Sequence, residues 1–131
     1  MRPASILLVE DEALIRMMLF EMIEDLGHRV IAEAGSVIEG RSLAEIEQYD
    51  LAILDINLKG NNVRPVAEAI AARGLPLFFL SGYGPAGVPD GFDGMPVLHK
   101  PCTPDLLKRT IDAVLSSDEP EEVQDKNGAA S

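Results

Sequence analysis

The chain has 131 residues, the length of one domain rather than two. Hydrophobic residues make up 47% of it and charged residues 25%, which are values of a globular protein and exclude a disordered or collagen-like chain. The net charge of −11 disfavours binding to nucleic acid or to an anionic membrane surface. Cys102 is the one cysteine, which excludes an internal disulfide framework and a zinc site of several cysteines.

Apolar segments are short throughout the sequence. The longest run, Leu75 to Leu80, contains Pro76 and falls far below the roughly 20 residues that cross a bilayer. The acidic residues at 10–12 come too early for the apolar segment of a signal peptide. We therefore expect a soluble protein of the cytoplasm.

Strand-like and helix-like patterns alternate along the chain. Short continuous apolar runs such as Ser5–Val9 are typical of strands buried on both faces, and apolar residues at helical spacing follow them. This alternation predicts an α/β fold with a doubly wound, five-stranded parallel sheet. In chain order we predict strand 5–9, helix 13–26, strand 29–34, helix 36–48, strand 51–55, loop 57–63, helix 65–74, strand 77–80, strand 97–99 and helix 103–116.

Helix ends carry their own signals. Ser36 and Glu39 form a capping-box pattern, Gly27 can stop the first helix, and Thr103 can cap the last one. Residues 82–95 contain five glycines and two prolines. Because glycine costs about 1 kcal/mol and proline about 3 kcal/mol in a helix relative to alanine, the fourth helix should be short or missing.

Three carboxylates follow the predicted strands. Glu10 and Asp11 come directly after the first strand, and Asp55 ends the third. Because the carboxyl ends of parallel strands meet at one edge of a sheet, we expect these groups to converge. Mg²⁺ prefers oxygen ligands, so the predicted site has ligands from Asp11, Asp55 and the Asn57 carbonyl, with Glu10 holding a metal-bound water.

Ser81 and Lys100 follow the fourth and fifth predicted strands and belong to the same edge. A carboxylate beside a metal, a hydroxyl and an ammonium group is an arrangement for phosphoryl transfer. Asp55 would attack phosphorus, Lys100 would neutralise charge on the phosphoryl oxygens, and Ser81 would donate a hydrogen bond to one of them.

Four motifs, in this order, resemble the signatures of a response-regulator receiver domain. They are Val9-Glu-Asp-Glu12, Leu54-Asp-Ile-Asn57, Leu80-Ser-Gly82 and His99-Lys-Pro101, spread over about residues 4–116. The resemblance implies a flavodoxin-like strand order 2-1-3-4-5 and a two-component role. In that role a sensor histidine kinase or phosphotransfer protein phosphorylates Asp55 in the presence of Mg²⁺. The same match makes Asp11 a metal ligand with Glu10 as its partner, Ser81 the switch hydroxyl and Lys100 the phosphate-binding lysine.

The resemblance also implies a phosphoacceptor protein that is not an enzyme in the usual sense and has no output domain of its own. The receiver domain is expected over 1–116, and the polar residues 117–131 are expected to form a disordered acidic tail. Further segments resemble the single-domain FAT GUY receivers of alphaproteobacteria, which tend to be paired with kinases of the HWE type. These are Asn57-Leu58 with Gly60, Pro65-Val-Ala67 and Phe79-Leu-Ser-Gly-Tyr-Gly84.

Two positions depart from the usual receiver pattern. Val97 stands where the family has Tyr or Phe, and Cys102 stands where it has Phe. The aromatic residue of the usual rotamer switch is therefore absent, and Tyr83 is the residue that could respond in its place.

Two alternatives stay open. A haloacid-dehalogenase-type phosphatase also uses a strand-end Asp with Mg²⁺, but that class needs a second acid where this chain has Asn57. A pseudoreceiver would use the same fold as a protein-binding module without phosphorylation.

The first predicted helix has more apolar residues than one core face uses. Leu14, Met17 and Phe20 lie off the predicted buried stripe, and we expect them to form a docking surface for the phosphoryl donor, as receiver domains use this helix. The stripe itself consists of Ile15, Met18, Leu19, Met22, Ile23 and Leu26.

Overall fold

The computed structural model describes residues 3–117, which form a five-stranded parallel sheet with helices on both faces and a separate small hairpin. The elements are β1 (Ser5–Val9), α1 (Ala13–Asp25), β2 (Arg29–Ala34), α2 (Val37–Ile46), β3 (Leu51–Asp55), β4 (Asn57–Leu58), β5 (Asn61–Asn62), α3 (Arg64–Ala72), β6 (Leu77–Ser81), β7 (Val97–His99) and α4 (Pro104–Ser117). The sheet order β2-β1-β3-β6-β7 confirms the predicted order 2-1-3-4-5, since β4 and β5 pair only with each other.

The two faces of the sheet bury separate apolar clusters. Along β1, Ile6 and Leu8 pack with α1 and α4, whereas Leu7 and Val9 pack with α2 and α3. The central strands β3 and β6 are buried along their whole length, as expected of parallel strands covered on both faces. This packing holds the carboxyl ends of β1, β3, β6 and β7 at one edge of the sheet.

Local signals set the helix ends as predicted. Gly27 has a φ of 97°, the left-handed conformation that follows the last turn of α1. The Ser36 hydroxyl accepts a hydrogen bond from the Glu39 N–H at 3.2 Å, and the Glu39 carboxylate accepts one from the Gly35 N–H at 3.0 Å. The Thr103 hydroxyl accepts from a main-chain N–H in the first turn of α4 at 3.1 Å.

The segment 57–63, predicted as a plain loop, contains the β4–β5 hairpin. Lys59 and Gly60 form its two-residue turn with φ values of 53° and 87°, the left-handed geometry that such turns require. The prediction missed the hairpin because two-residue strands carry no readable alternation and lysine is an unusual residue in that conformation. The pairing places Asn57 directly opposite Asn62.

Within the described residues, no helix occurs between β6 and β7, which confirms that the fourth helix of the fold is missing. Phe92 fastens this loop to the core: its ring meets Phe79 edge-on, with ring centroids 6.1 Å apart and planes at 87°. Helix α4 continues to Ser117, one residue beyond the predicted end of the domain. The predicted tail covers 117–131, of which residues 118–131 lie outside the described residues.

One side chain of α1 contradicts the predicted stripe. Met18 is 49% exposed, although the helical spacing placed it on the buried face. It lies at the margin of that face, where α1 borders the segment around Pro101 and Cys102 rather than the sheet. Leu14 and Met17 are exposed as predicted, whereas Phe20 is half-buried. Over residues 3–117 none of the helices has the length and apolar character needed to cross a membrane.

We predict an acid-sensitive contribution of His28 to stability. Its ring is buried, its Nδ1 accepts a hydrogen bond from the Ala4 N–H at 2.9 Å, and burial lowers the pKa of the imidazole. The unfolded chain therefore takes up a proton at a higher pH than the native state does. The stability from neutral His28 is complete above about pH 6.5 and falls as the pH drops below that value.

Urea denaturation at about pH 7.5 and 5.5 measures this dependence. His28→Gln should lose less stability on acidification than the wild type does. His99→Gln, at an exposed position, is the control and should follow the wild type. An acid dependence that is unchanged in His28→Gln would contradict the assignment.

Candidate functional site

The predicted site residues stand where parallel strands end. Glu10 directly follows β1, Asp55 is the last residue of β3, Ser81 is the last residue of β6, and Lys100 follows β7. Backbone pairing sets their relative heights, since the Ile56 N–H bonds the Leu80 carbonyl and the Lys100 N–H bonds the Ser81 carbonyl. The sheet register therefore brings together residues that are up to 90 positions apart.

Three carboxylates converge at this edge, as the sequence predicted. Glu10, Asp11 and Asp55 each offer a carboxylate oxygen, and these oxygens lie within 4.8 Å of one another. Glu10 and Asp55 are buried, whereas Asp11 is partly exposed at the mouth. Asp11, Asp55 and Asn57 line an open cleft of about 710 Å³.

Lys100 is the cation of this site. Its Nζ donates to Glu10 Oε1 at 3.1 Å and to Asp55 Oδ2 at 3.1 Å. Burial alone would lower the pKa of Lys100, but the hydrogen bonds to Asp55 and Glu10 outweigh burial and raise it. The ammonium group is therefore charged and shared between two buried carboxylates.

The carboxylates respond unequally to this environment. Burial raises the pKa of Glu10 to about 7, helped by the nearby Asp55 charge and opposed by Lys100. Burial also raises the pKa of Asp55, against the hydrogen bond from Lys100. Burial works in the same direction on Asp11, but hydrogen bonds from the Glu10 side chain and the Lys59 N–H outweigh it and lower the pKa. One ammonium group thus leaves the cluster short of positive charge near neutral pH.

The β4–β5 hairpin holds the remaining polar groups of the cleft. The Lys59 N–H donates to Asp11 Oδ2 at 2.9 Å, and the Asn57 N–H reaches Asp55 Oδ1 at 3.4 Å. The Asn57 side-chain oxygen accepts from the Gly60 N–H at 2.7 Å, which ties that side chain into the turn. The main-chain carbonyl of Asn57 is therefore the group that fits a metal-ligand role. This donor set of carboxylate and carbonyl oxygens fits a hard dication such as Mg²⁺.

Ser81 and Asp55 line the same cleft. The Ser81 hydroxyl oxygen accepts a hydrogen bond from the Tyr83 N–H at 3.0 Å, so the hydroxyl proton is left to donate elsewhere. The Tyr83 side chain is exposed and also lines the cleft.

A family profile for the response regulator receiver domain matches residues 6–112. The chain belongs to the response regulator receiver family. Among curated proteins, the transcriptional regulatory protein PdtaR of Mycobacterium tuberculosis is 37% identical over 82 residues, which are 62% of this chain and 40% of PdtaR. The chain thus spans less than half the length of this curated relative.

Solved receiver structures resemble the whole domain. The solution structure of SdrG from Sphingomonas melonis gives a TM-score of 0.77 at 39% identity and covers 86% of this chain and 97% of SdrG. The BeF3-activated conformation of SdrG gives 0.73 at 40% identity and covers 85% and 95%. The receiver domain of PhyR from Erythrobacter litoralis gives 0.78 at 26% identity and covers 93% and 98%. These neighbours are consistent with the alphaproteobacterial subgroup that the narrower motifs resemble.

Sequence reasoning missed Arg16 as part of this receiver site. Its Nη1 donates to the Glu10 carbonyl, and its Nε lies 3.3 Å from Glu33 Oε1 on β2. A Cβ at Gly35 would lie 3.1 Å from the same Nη1, so the glycine leaves room for the guanidinium. A basic residue in the first turns of a helix, where acids are favoured, is a sequence signal that could have identified it.

Removing the shared cation of this receiver should show how much stability the protein loses when its buried acids have no positive partner. Lys100→Met leaves Glu10 and Asp55 without their partner, so the free energy of unfolding of the metal-free protein near pH 8 should fall by roughly 3 kcal/mol. Mg²⁺ should restore more stability to the variant than it adds to the wild type, because no ammonium group competes with it. Urea denaturation with and without Mg²⁺ measures both effects.

Lys108→Met is the matched control, because that lysine pairs with Asp112 at 2.8 Å on the surface of α4. Its loss should change the stability little and leave the response to Mg²⁺ unaltered. Equal losses of stability in the two variants would contradict the assigned role of Lys100.

Proposed function

We propose that this receiver domain is a phosphoacceptor of two-component signalling. Asp55 takes a phosphoryl group from a phosphohistidine of a sensor histidine kinase or a phosphotransfer protein. The observation that carries the proposal is the position of the Asp55 carboxylate, which contacts Lys100 and lies beside two further acids at the floor of an open cleft. The protein acts on no separate substrate and catalyses only its own phosphorylation and dephosphorylation.

A dication completes the proposed site. Asp11, Asp55 and the Asn57 carbonyl would hold Mg²⁺ directly, and Glu10 would hold it through a water molecule. When bound, Mg²⁺ supplies the positive charge that the acids and a transferring phosphoryl group both need. Lys100 alone cannot supply it, since its ammonium group already serves two carboxylates.

The proposed transfer is a displacement at phosphorus. A carboxylate oxygen of Asp55 forms the new P–O bond while the P–N bond of the phosphohistidine breaks, and the bonding electrons go to the imidazole nitrogen. Lys100 Nζ, 3.1 Å from Asp55 Oδ2, is placed to pair with a phosphoryl oxygen as the carboxylate charge is lost. The Ser81 hydroxyl, oriented by the Tyr83 N–H, donates to another phosphoryl oxygen.

The similar receivers support this reading. SdrG has a BeF3-activated conformation, and a beryllium fluoride adduct of a carboxylate has the shape and charge of an acyl phosphate. The narrower motifs favour a kinase of the HWE type as the donor. The downstream partner would be a protein rather than nucleic acid or membrane, since the net charge is −11.

Asp55→Asn tests the proposed acceptor. An amide cannot attack phosphorus, so labelling by acetyl phosphate with Mg²⁺ should disappear while the fold is kept. Intact-mass spectrometry measures the labelling, and far-UV circular dichroism measures whether the fold is kept. Asp50→Asn is the control, because Asp50 is an acid on the surface outside the cleft and should leave labelling intact.

The same measurement separates the alternatives. Stable single labelling of the wild type supports the phosphoacceptor. Rapid turnover of acetyl phosphate would indicate a phosphatase, and no labelling at all would indicate a pseudoreceiver. Normal labelling of Asp55→Asn would refute the assignment of Asp55.

The proposed donor docks on α1. An apolar groove of about 220 Å³ lies between α1 and the segment after β7, and Lys100 borders it. Leu14 and Met17 are 65% and 53% exposed on the same helix, so the apolar surface continues beyond the groove. A helical partner seated here would carry its phosphohistidine to the mouth of the cleft. The groove is lined by Ile15, Met18, Leu19, Met22, Lys100, Pro101 and Cys102.

A double variant, Leu14→Gln with Met17→Gln, tests the docking surface. Both side chains are exposed, so the midpoint of urea denaturation and labelling by acetyl phosphate should stay near wild-type values. Transfer from a phosphorylated kinase should slow by at least about tenfold, because two contact side chains are lost. Ile38→Gln is the matched control, since Ile38 is 85% exposed on α2, away from the cleft. Equal transfer rates in the double variant and the control would place the docking surface elsewhere.

A further inference from the structure

Residues 82–87, the first part of the loop over residues 82–95, form one wall of the cleft that Asp55 lines. In this first half of the loop, Tyr83, Ala86 and Gly87 line the cleft. In a fold of alternating strands and helices, a helix occupies this position, and its backbone hydrogen bonds are made within the helix. Here the wall is made of glycine-rich chain, and its position depends on contacts with neighbouring elements.

The second half of this loop is fastened to the core. Phe92 is buried against Phe79, and Pro89 is buried. Arg64 at the start of α3 donates to the Asp90 carbonyl at 3.5 Å and lies 3.7 Å from its carboxylate. These contacts hold the half of the loop that is remote from Asp55.

The first half is held by a side chain from the hairpin. Asn62 Nδ2 donates to the Gly87 carbonyl at 2.8 Å, while Asn62 Oδ1 accepts from the Arg64 N–H at 2.9 Å. The Arg64 N–H thus orients the Asn62 amide through its oxygen, and the amide nitrogen binds the loop. Asn62 pairs across the hairpin with Asn57, so the loop is tied to the segment that approaches Asp55.

Gly87 lies closely against the side chain of Ile56. Its φ is +90°, and a Cβ built there would lie 3.2 Å from Ile56 Cγ2. Ile56 directly follows Asp55, so the wall rests on the residue next to the phosphoacceptor. Substitution of Gly87 is therefore strained and would push the wall away from Ile56.

We propose that Asn62 is a positioning residue that holds the wall of residues 82–87 against Ile56 and thereby limits attack of water on phosphorylated Asp55. The proposal rests on the proposed function. In the hydrolysis that it limits, a water oxygen bonds to phosphorus and the P–O bond to Asp55 breaks. The carboxylate leaves with the electron pair, and the proton of the water goes to bulk solvent. An outward movement of the wall widens the cleft by which water reaches phosphorus.

Asn62→Asp isolates the bond to Gly87. A carboxylate still accepts from the Arg64 N–H, but it has no N–H to donate to the Gly87 carbonyl. In the unphosphorylated protein, amide exchange over 83–87 should quicken about fivefold, the change in opening that the loss of one hydrogen bond produces. Exchange over 91–95 should not change, because Phe92 holds that half. After labelling by acetyl phosphate, the lifetime of the phosphoryl group should shorten by a similar factor.

Asn61→Asp is the charge-matched control, in the same hairpin and exposed. It should show wild-type exchange and lifetime. Gly87→Ala is an uncharged second variant, and it should also shorten the lifetime because its Cβ displaces the wall. Denaturation midpoints of all variants check that the fold is kept.

The outcomes are distinguishable from those of the proposed function. Failure of the wild type to take up label overturns the proposed function and this proposal together. If the wild type is labelled, a lifetime in Asn62→Asp equal to that in Asn61→Asp overturns the role of Asn62 alone. A shorter lifetime in both Asn62→Asp and Gly87→Ala, with unchanged stability, supports it.

Discussion

One ammonium group shared by two buried carboxylates is the interaction on which this receiver depends. Glu10 follows β1 and Asp55 ends the neighbouring strand β3, and burial makes the charge of each costly unless a cation lies between them. Lys100 comes from the far edge strand, so its ammonium reaches both acids only if β1, β3, β6 and β7 keep their register. The two apolar layers hold that register. The fold therefore stabilises a charge arrangement that no local segment could form.

The same arrangement leaves the negative charge of the site only partly balanced. Three carboxylates against one ammonium group leave excess negative charge, and the pKa of Glu10 rises to about 7 in consequence of burial and of its acidic neighbour. A dication would remove that excess. Phosphorylation of Asp55 would then move the negative charge that Lys100 pairs with, since the carboxylate would become a mixed anhydride whose charge lies on phosphoryl oxygens. Arg16, bound to the Glu10 carbonyl, fixes the backbone on the other side of the acids.

The sequence was sufficient for features that depend on chain order and local preference. Strand ends located Glu10, Asp55 and Lys100, and the glycines and prolines of 82–95 correctly predicted that a helix is missing. What escaped prediction depends on three-dimensional neighbours. Met18 has the spacing of a buried residue, but its exposure is decided by how far the segment after β7 covers α1. The hairpin has a turn without the usual residues, so neither the hairpin nor the contacts of Asn62 were predicted. Nothing in the order of residues signals the bond to Gly87.

The missing helix and the missing aromatic residue have a common physical consequence. Val97 packs partly buried against the core, and a valine has no ring that could turn between a buried and an exposed position. A helix after β6 would move as a unit, whereas 82–95 divides into a half anchored by Phe92 and a half that borders the cleft. The half that borders the cleft meets the site through the Tyr83 N–H on Ser81, the Asn62 amide on the Gly87 carbonyl and the approach of Gly87 to Ile56. If Asp55 is phosphorylated as proposed, a change that reached this surface would act on main-chain groups of the loop, the Tyr83 N–H and the Gly87 carbonyl, rather than on an aromatic side chain that changes rotamer.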